Sequence, residues 1–177
     1  MPFSIIRRDN VNIAKIKYNN ISNGIGIRTS LFVTGCVHNC KGCFNSDIAN
    51  KNTGEPFTDS IKRQILQSLK PNHIAGLTLL GGEAMMPYNA PELTILCEEV
   101  RGLYPNKTIW VFSGFEYEQI IKDPIKLKLL EQCDVLVDGK FEQELYSPTL
   151  RFKGSSNQRI IDIQESLKGN RVILYLE

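Results

Sequence analysis

From Ile27 onward, short strand-type runs alternate with runs of helical periodicity, and most of these strands end in a polar motif containing glycine. That alternation limits the chain to βαβ units around a mostly parallel sheet. The run 27–33 reads as a strand ending at Thr34-Gly35. Thr58 and Asp59 can cap a helix whose Ile61, Ile65, Leu66 and Leu69 follow a helical period, and Pro71 stops it. The run 77–80 is an almost wholly apolar strand leading into Gly81-Gly82-Glu83. Pro91 then sits in the first turn of a helix with Leu93, Leu96, Cys97 and Val100 on one face.

The unit repeats. The run 108–112 is a strand ending at Ser113-Gly114, and a helix begins over 117–121. Pro124 interrupts it before a second helical run with Leu127, Leu129 and Leu130. The run 135–137 is a strand ending at Asp138-Gly139-Lys140. A polar loop at 154–157, a short mixed run at 160–163 and a strand near 172–176 complete the pattern. Upstream, 3–18 reads as one or two strands, broken from the rest by the Asn- and Gly-rich segment 19–24. Four or five βα units are too few for a full eight-stranded barrel, which takes about 250 residues. The expectation is therefore a partial (β/α) barrel or open sheet with helices outside. It forms one domain over 1–177, with N-terminal strands in 1–20, a core at about 24–163 and a C-terminal strand at 171–176. In such folds ligands bind beyond the C-terminal strand ends, where all the polar motifs fall.

The densest chemistry is Cys36-Val37-His38-Asn39-Cys40-Lys41-Gly42-Cys43-Phe44-Asn45. Three thiolates spaced by four and three residues can wrap one small metal centre. A [4Fe–4S] cluster needs one ligand per iron, so three cysteines leave one iron open to a small molecule. A zinc site completed by a distant ligand such as His73 is the rival metal reading. Unligated core thiols are the bland one, and a loop rich in Asn, His, Lys and Gly gives them no apolar setting. Cys97 and Cys133 lie in or beside apolar patterns and read as core. The total of five cysteines is odd and unlike a disulfide framework.

The charge balance, 21 Lys and Arg against 19 Asp and Glu, argues against a nucleic-acid binder. The pair Arg7-Arg8, with Lys15 and Lys17 nearby, reads as solvated surface. No apolar stretch resembles a signal peptide or a bilayer span, so a soluble, cytoplasmic protein without membrane association is expected.

The cysteine spacing after a strand and a Thr-Gly turn resembles the signature of the radical S-adenosylmethionine (SAM) enzymes. Within them, the chain is similar to the glycyl-radical activases of the anaerobic ribonucleoside-triphosphate reductase. The segments 23–32, 43–45, 137–141 and 151–159 carry that likeness, which spans about 24–163. The resemblance implies that Cys36, Cys40 and Cys43 hold a [4Fe–4S] cluster whose open iron binds SAM. It implies that Gly81, Gly82 and Glu83 meet the SAM amino group, and that Ser113, Asp138 and Lys140 meet its polar part. Gly42, Cys43 and Phe44 are expected on the adenine side, and no side chain is assigned an acid–base role. The activity implied is reductive cleavage of SAM to a 5′-deoxyadenosyl radical, which takes a hydrogen atom from a glycine of a large reductase. A flavodoxin or ferredoxin type donor and anaerobic life go with it. The polar segment 147–159 is a candidate wall for the protein–protein contact. Related functions left open are activation of a formate-lyase type enzyme, small-molecule radical SAM chemistry and a zinc-stabilised binding module. Many relatives have Pro after the acidic residue, whereas this chain has Ala84 followed by Met85-Met86-Pro87, which alters the loop beside SAM.

Overall fold

A computed structural model describes residues 11–177. The expected strand over 3–18 is realised as β1 (Asn12–Asn20), and the part before residue 11 lies outside the described residues. The strands that follow are β2 (Ile27–Val33), a two-residue β3 (Glu55–Pro56), β4 (Ile74–Gly81), β5 (Thr108–Phe112), β6 (Val135–Asp138), β7 (Arg159–Asp162) and β8 (Leu174–Leu176). The helices are α1 (Asp59–Ser68), α2 (Ala90–Leu103), α3 (Tyr117–Ile120), α4 (Pro124–Leu130) and α5 (Ile163–Gly169). Thr58 caps α1 by accepting from the Ile61 N–H at 3.3 Å. Asp123 caps α4 through the Ile125 and Lys126 amides, with Pro124 at the first helical position. The reading of 160–163 as a mixed run missed α5, which Asp162 caps by accepting from the Glu165 N–H.

All eight strands form one sheet in the order β3-β1-β2-β4-β5-β6-β7-β8. Strands β2, β4, β5 and β6 are parallel neighbours, as βαβ units require. The margins are antiparallel: β1 on β2 and β3 on β1 at one side, β7 on β6 and β8 on β7 at the other. The sheet is thus mixed, with flanking helices, rather than mostly parallel. The difference has a local cause. The chain returns from β6 to β7 through a helix-poor segment, so no crossover brings it back in the parallel sense.

Each central strand alternates between two apolar layers. Leu31, Val33, Leu77, Leu79, Ile109, Val111 and Leu136 join the helices in the larger core. Trp110, Val135, Val137 and Ile160 form a smaller cluster on the opposite face, with Phe112, Phe152 and Leu176 against it. That double cover explains why these strands lack an apolar–polar alternation. At the N-terminal ends of the parallel strands the fully buried Arg28 crosses the sheet. It donates to Thr78 Oγ1, the Ile25, Leu77 and Thr108 carbonyls, and Thr108 Oγ1, all within 3.1 Å. Its five N–H groups are therefore all used, and the guanidinium lies 5.6 Å from the Trp110 ring. Burial lowers its pKa to about 10, which leaves it charged at neutral pH.

Among the described residues, no helix is long and apolar enough to cross a membrane. Arg28→Met is expected to lower stability by about 3 kcal/mol, because buried carbonyls lose their donors. Urea unfolding of native and variant protein checks this.

Candidate functional site

The parallel direction of β2, β4, β5 and β6 puts four strand-end loops at one edge of the sheet. The first carries the cysteines. Thr34 is tied down by its N–H to the Asn12 carbonyl at 3.0 Å. The Gly35 and Cys36 amides then bond the Ile48 and Ala49 carbonyls, each at 2.9 Å, which closes the loop at its base. Inside it, the Cys43 N–H bonds the Cys40 carbonyl at 3.2 Å, and Gly42 turns with a φ of +72°. The Cys43 sulfur accepts the Asn45 N–H at 3.4 Å. Burial raises the Cys36 thiol pKa, while a hydrogen bond from the His38 backbone opposes that rise.

Cys36, Cys40 and Cys43 are all partly exposed, and all three line one cavity of about 200 Å³. Among the described residues, no three His, Cys, Asp or Glu side chains converge tightly enough to hold a single ion. The three thiols border one shared space. An iron–sulfur cube asks for that arrangement, since each ligand serves a different iron. Cys97 and Cys133, the remaining cysteines, are buried in the helix-side core. The donor set at the cavity is three soft thiols with no fourth cysteine, which fits a cube with one open iron.

The second loop, Gly81-Gly82-Glu83, follows β4. A Cβ on Gly81 would lie 2.6 Å from the Val33 carbonyl oxygen, and one on Gly82 would lie 2.4 Å from that of Gly35. These glycines let the two loops pack backbone to backbone. The Gly82 N–H bonds Val33 O at 2.8 Å, and the Glu83 N–H bonds Gly35 O at 2.7 Å. The Glu83 side chain is wholly buried. Its Oε2 accepts from His38 Nε2 at 2.6 Å and from the Gly114 N–H at 2.8 Å, and its Oε1 accepts from the Met85 N–H at 2.9 Å. Asn89 reinforces this corner by donating to the Thr34 and Glu83 carbonyls. Ala84 and Met85, the departure from the Pro-bearing pattern, are buried in the core.

The third loop brings Ser113 to the cavity, with its hydroxyl accepting the Phe115 N–H at 3.0 Å. The fourth divides. Gly139 lines the cavity, but the Asp138 and Lys140 side chains do not. Asp138 is buried and accepts from Arg159 Nε at 3.0 Å, from Arg159 again at 2.5 Å through its second oxygen, and from the Tyr117 N–H at 2.8 Å. Lys140 is exposed, and its carbonyl accepts from Asn157 Nδ2. Phe44 is 68% exposed. It packs against Phe141 and Tyr146 at ring separations of 5.2 and 5.7 Å, beside a neighbouring cavity of about 430 Å³ that it helps to line. Gly42 lies outside the lining, close to the Gln143 side chain.

The segments 137–141 and 151–159 are joined in space. Gln158 Nε2 donates to the Gly139 carbonyl, and its Oε1 accepts the Gly154 and Ser155 amides. Glu142 donates its N–H to Ser155 Oγ, so the polar loop forms one wall with the Asp138 loop. Sequence reasoning had no individual role for Gln158, Arg159 or Asn89. The dense Asn, Gln and Arg content of 157–159 was the available signal for two of them; Asn89 had none.

A family model described as a 4Fe-4S single cluster domain matches residues 22–161. The anaerobic ribonucleoside-triphosphate reductase-activating protein of Escherichia coli (strain K12) is 40% identical over 141 residues, covering 78% of this chain and 90% of that protein. The protein of the same description from Pasteurella multocida (strain Pm70) is 41% identical, covering 80% and 90%. That of Enterobacteria phage T4 is 39% identical, covering 78% and 85%.

Arg159→Met strips a buried carboxylate of its cation. A loss of about 3 kcal/mol is expected, the low end for a broken buried pair, because Arg159 keeps 33% of its side chain exposed. Arg159→Lys should recover only part of that loss, since an ammonium lacks the forked donors that reach both oxygens. Denaturant midpoints of the three proteins check both expectations.

Proposed function

We infer that this chain activates an anaerobic ribonucleoside-triphosphate reductase, on the premise that it belongs to the 4Fe-4S single-cluster family of reductase-activating proteins. The observation that carries the reading is the lining of one cavity by Cys36, Cys40 and Cys43, at the C-terminal ends of parallel strands and beside Gly81-Gly82. The group held there is a [4Fe–4S] cluster with SAM. Cys36, Cys40 and Cys43 would hold that cluster, which with SAM would supply one-electron cleavage of the sulfonium and hydrogen-atom abstraction from a reductase glycine.

The cofactors carry the bond-breaking, and the chain's own residues bind, orient and enclose. The three cysteines give up their protons to become ligands, so cluster loading releases protons and is favoured as pH rises. Burial keeps the Cys36 thiol protonated to higher pH than usual. Gly81 and Gly82 line the cavity without side chains, so that their backbone can approach a ligand there. Ser113 supplies a hydroxyl at the cavity, and Gly139 leaves room opposite it. Leu80, Phe112, Val137 and Phe141 provide an apolar lining suited to a nucleoside and to a reactive carbon radical.

Phe44 and Gly42 belong to the adenine side of this reading through the adjoining aromatic cluster. Asp138 enters it as the anchor of Arg159 and hence of the 139–159 wall, while Lys140 stands at the exposed rim. The mixed sheet, with Trp110 and Phe112 on the face away from the helices, is read as a partial barrel. Its open side leaves a path by which a glycine-bearing segment of the reductase reaches the cavity. The reductase and a low-potential flavodoxin or ferredoxin type donor are the proposed partners.

Cys36→Ala, Cys40→Ala and Cys43→Ala are each expected to abolish formation of 5′-deoxyadenosine in anaerobically reconstituted protein. Full turnover by any one of them removes that residue from the ligand set. The decisive assay mixes reduced protein, SAM and reductase and records an electron paramagnetic resonance spectrum. A glycine-centred doublet is expected, and SAM cleavage without that doublet would reassign the partner.

A further inference from the structure

His38 lies between two cluster cysteines, yet its side chain is 95% buried, because only 5% of it is exposed. The imidazole is held on three sides. Its Nε2 meets Glu83 Oε2 at 2.6 Å. Its ring stands edge-on to Phe115 at 4.5 Å. It also covers Gly114 so closely that a Cβ there would fall 2.4 Å from the ring. An ionised carboxylate only accepts hydrogen bonds, so Nε2 carries the hydrogen.

Glu83 in turn gathers the loops. Its two oxygens accept from the cluster loop through His38, from the β5 loop through Gly114, and from its own loop through Met85. A carboxylate offers about four lone-pair directions, and three are occupied inside the protein. The side chain is wholly buried yet borders the cavity, so whatever it offers a ligand there is aimed by these three donors.

We propose that His38 is a positioning residue that, through the Glu83 carboxylate, locks the cluster loop to the Gly81-Gly82 and Ser113-Gly114 loops and so holds the loops that line the SAM cavity in place against the cluster loop. The assignment rests on the reading of the cavity as a SAM site. Backbone bonds already join the bases of the first two loops. The β5 loop has no such bond to the cluster loop, and the Glu83 Oε2 contact supplies the missing link. Removing the His38 donor leaves a buried carboxylate short of one partner, so the loops relax about the gap.

The test compares native protein with His38→Ala and with His38→Gln, which keeps an N–H donor at similar reach. Three quantities are read: iron content after anaerobic reconstitution, the SAM dissociation constant by equilibrium dialysis, and amide hydrogen exchange at Gly114 and Met85 in the metal-free protein. His38→Ala is expected to weaken SAM binding about tenfold and to speed exchange at both amides by a similar factor. His38→Gln should stay within about threefold of native on both counts. In steady state the KM for SAM should rise more than kcat falls.

Native-like SAM affinity and exchange in His38→Ala would overturn the proposal. So would a His38→Gln protein as defective as the alanine variant, since a donor would then not be what matters. Iron lost in His38→Ala and regained in His38→Gln supports the clamp, and iron lost in both counts against it. Should native protein itself fail to bind SAM, the functional reading falls, while the exchange comparison still decides the role of His38.

Discussion

A buried carboxylate without partners is among the most unfavourable groups a fold can contain, and Glu83 occupies such a position at the end of β4. Its donors come from different strand-end loops, so the requirement to satisfy it becomes a requirement on where those loops sit. Close backbone packing at Gly81 and Gly82 makes this possible, since any side chain there would push the cysteine loop away. The arrangement of the cavity is thus a consequence of electrostatic necessity acting through glycine geometry.

A second buried charge does comparable work at the other end of the sheet. Arg28, itself on β2, spends every N–H on strands β4 and β5 and on the segment before β2. One cation near the N-terminal ends and one anion at the C-terminal ends hold the same parallel strands in register. Between them the strands are apolar on both faces. The hydrophobic layers give cohesion without direction, and the two charges supply the direction.

The far wall uses a third device. Asp138 grips Arg159, which also reaches the Glu118 carboxylate, and that interaction holds Glu118 below its usual pKa. The grip pins the start of β7 to the end of β6 and holds the 139–158 loop alongside the cavity. The aromatic trio of Phe44, Phe141 and Tyr146 then bridges the cysteine loop to that wall. An apolar, partly exposed bridge of this kind suits a site that must shield a reactive centre and still admit a protein segment.

By itself the sequence determined the βα alternation, the strand limits at 27–33 and 108–112, the cap of α1, the new helical run at Pro124, and the gathering of four polar motifs at one sheet edge. These follow from short-range periods, capping and turn chemistry, which act within a few residues. Only the tertiary structure decided that β7 and β8 run antiparallel, that α5 forms after Asp162, and that the three thiols line one cavity with Gly81, Gly82 and Ser113. It also decided that Glu83 turns to His38 and Asp138 to Arg159. Partners 45 and 21 residues away are chosen by which charges the folded core brings together, and no local pattern encodes that choice.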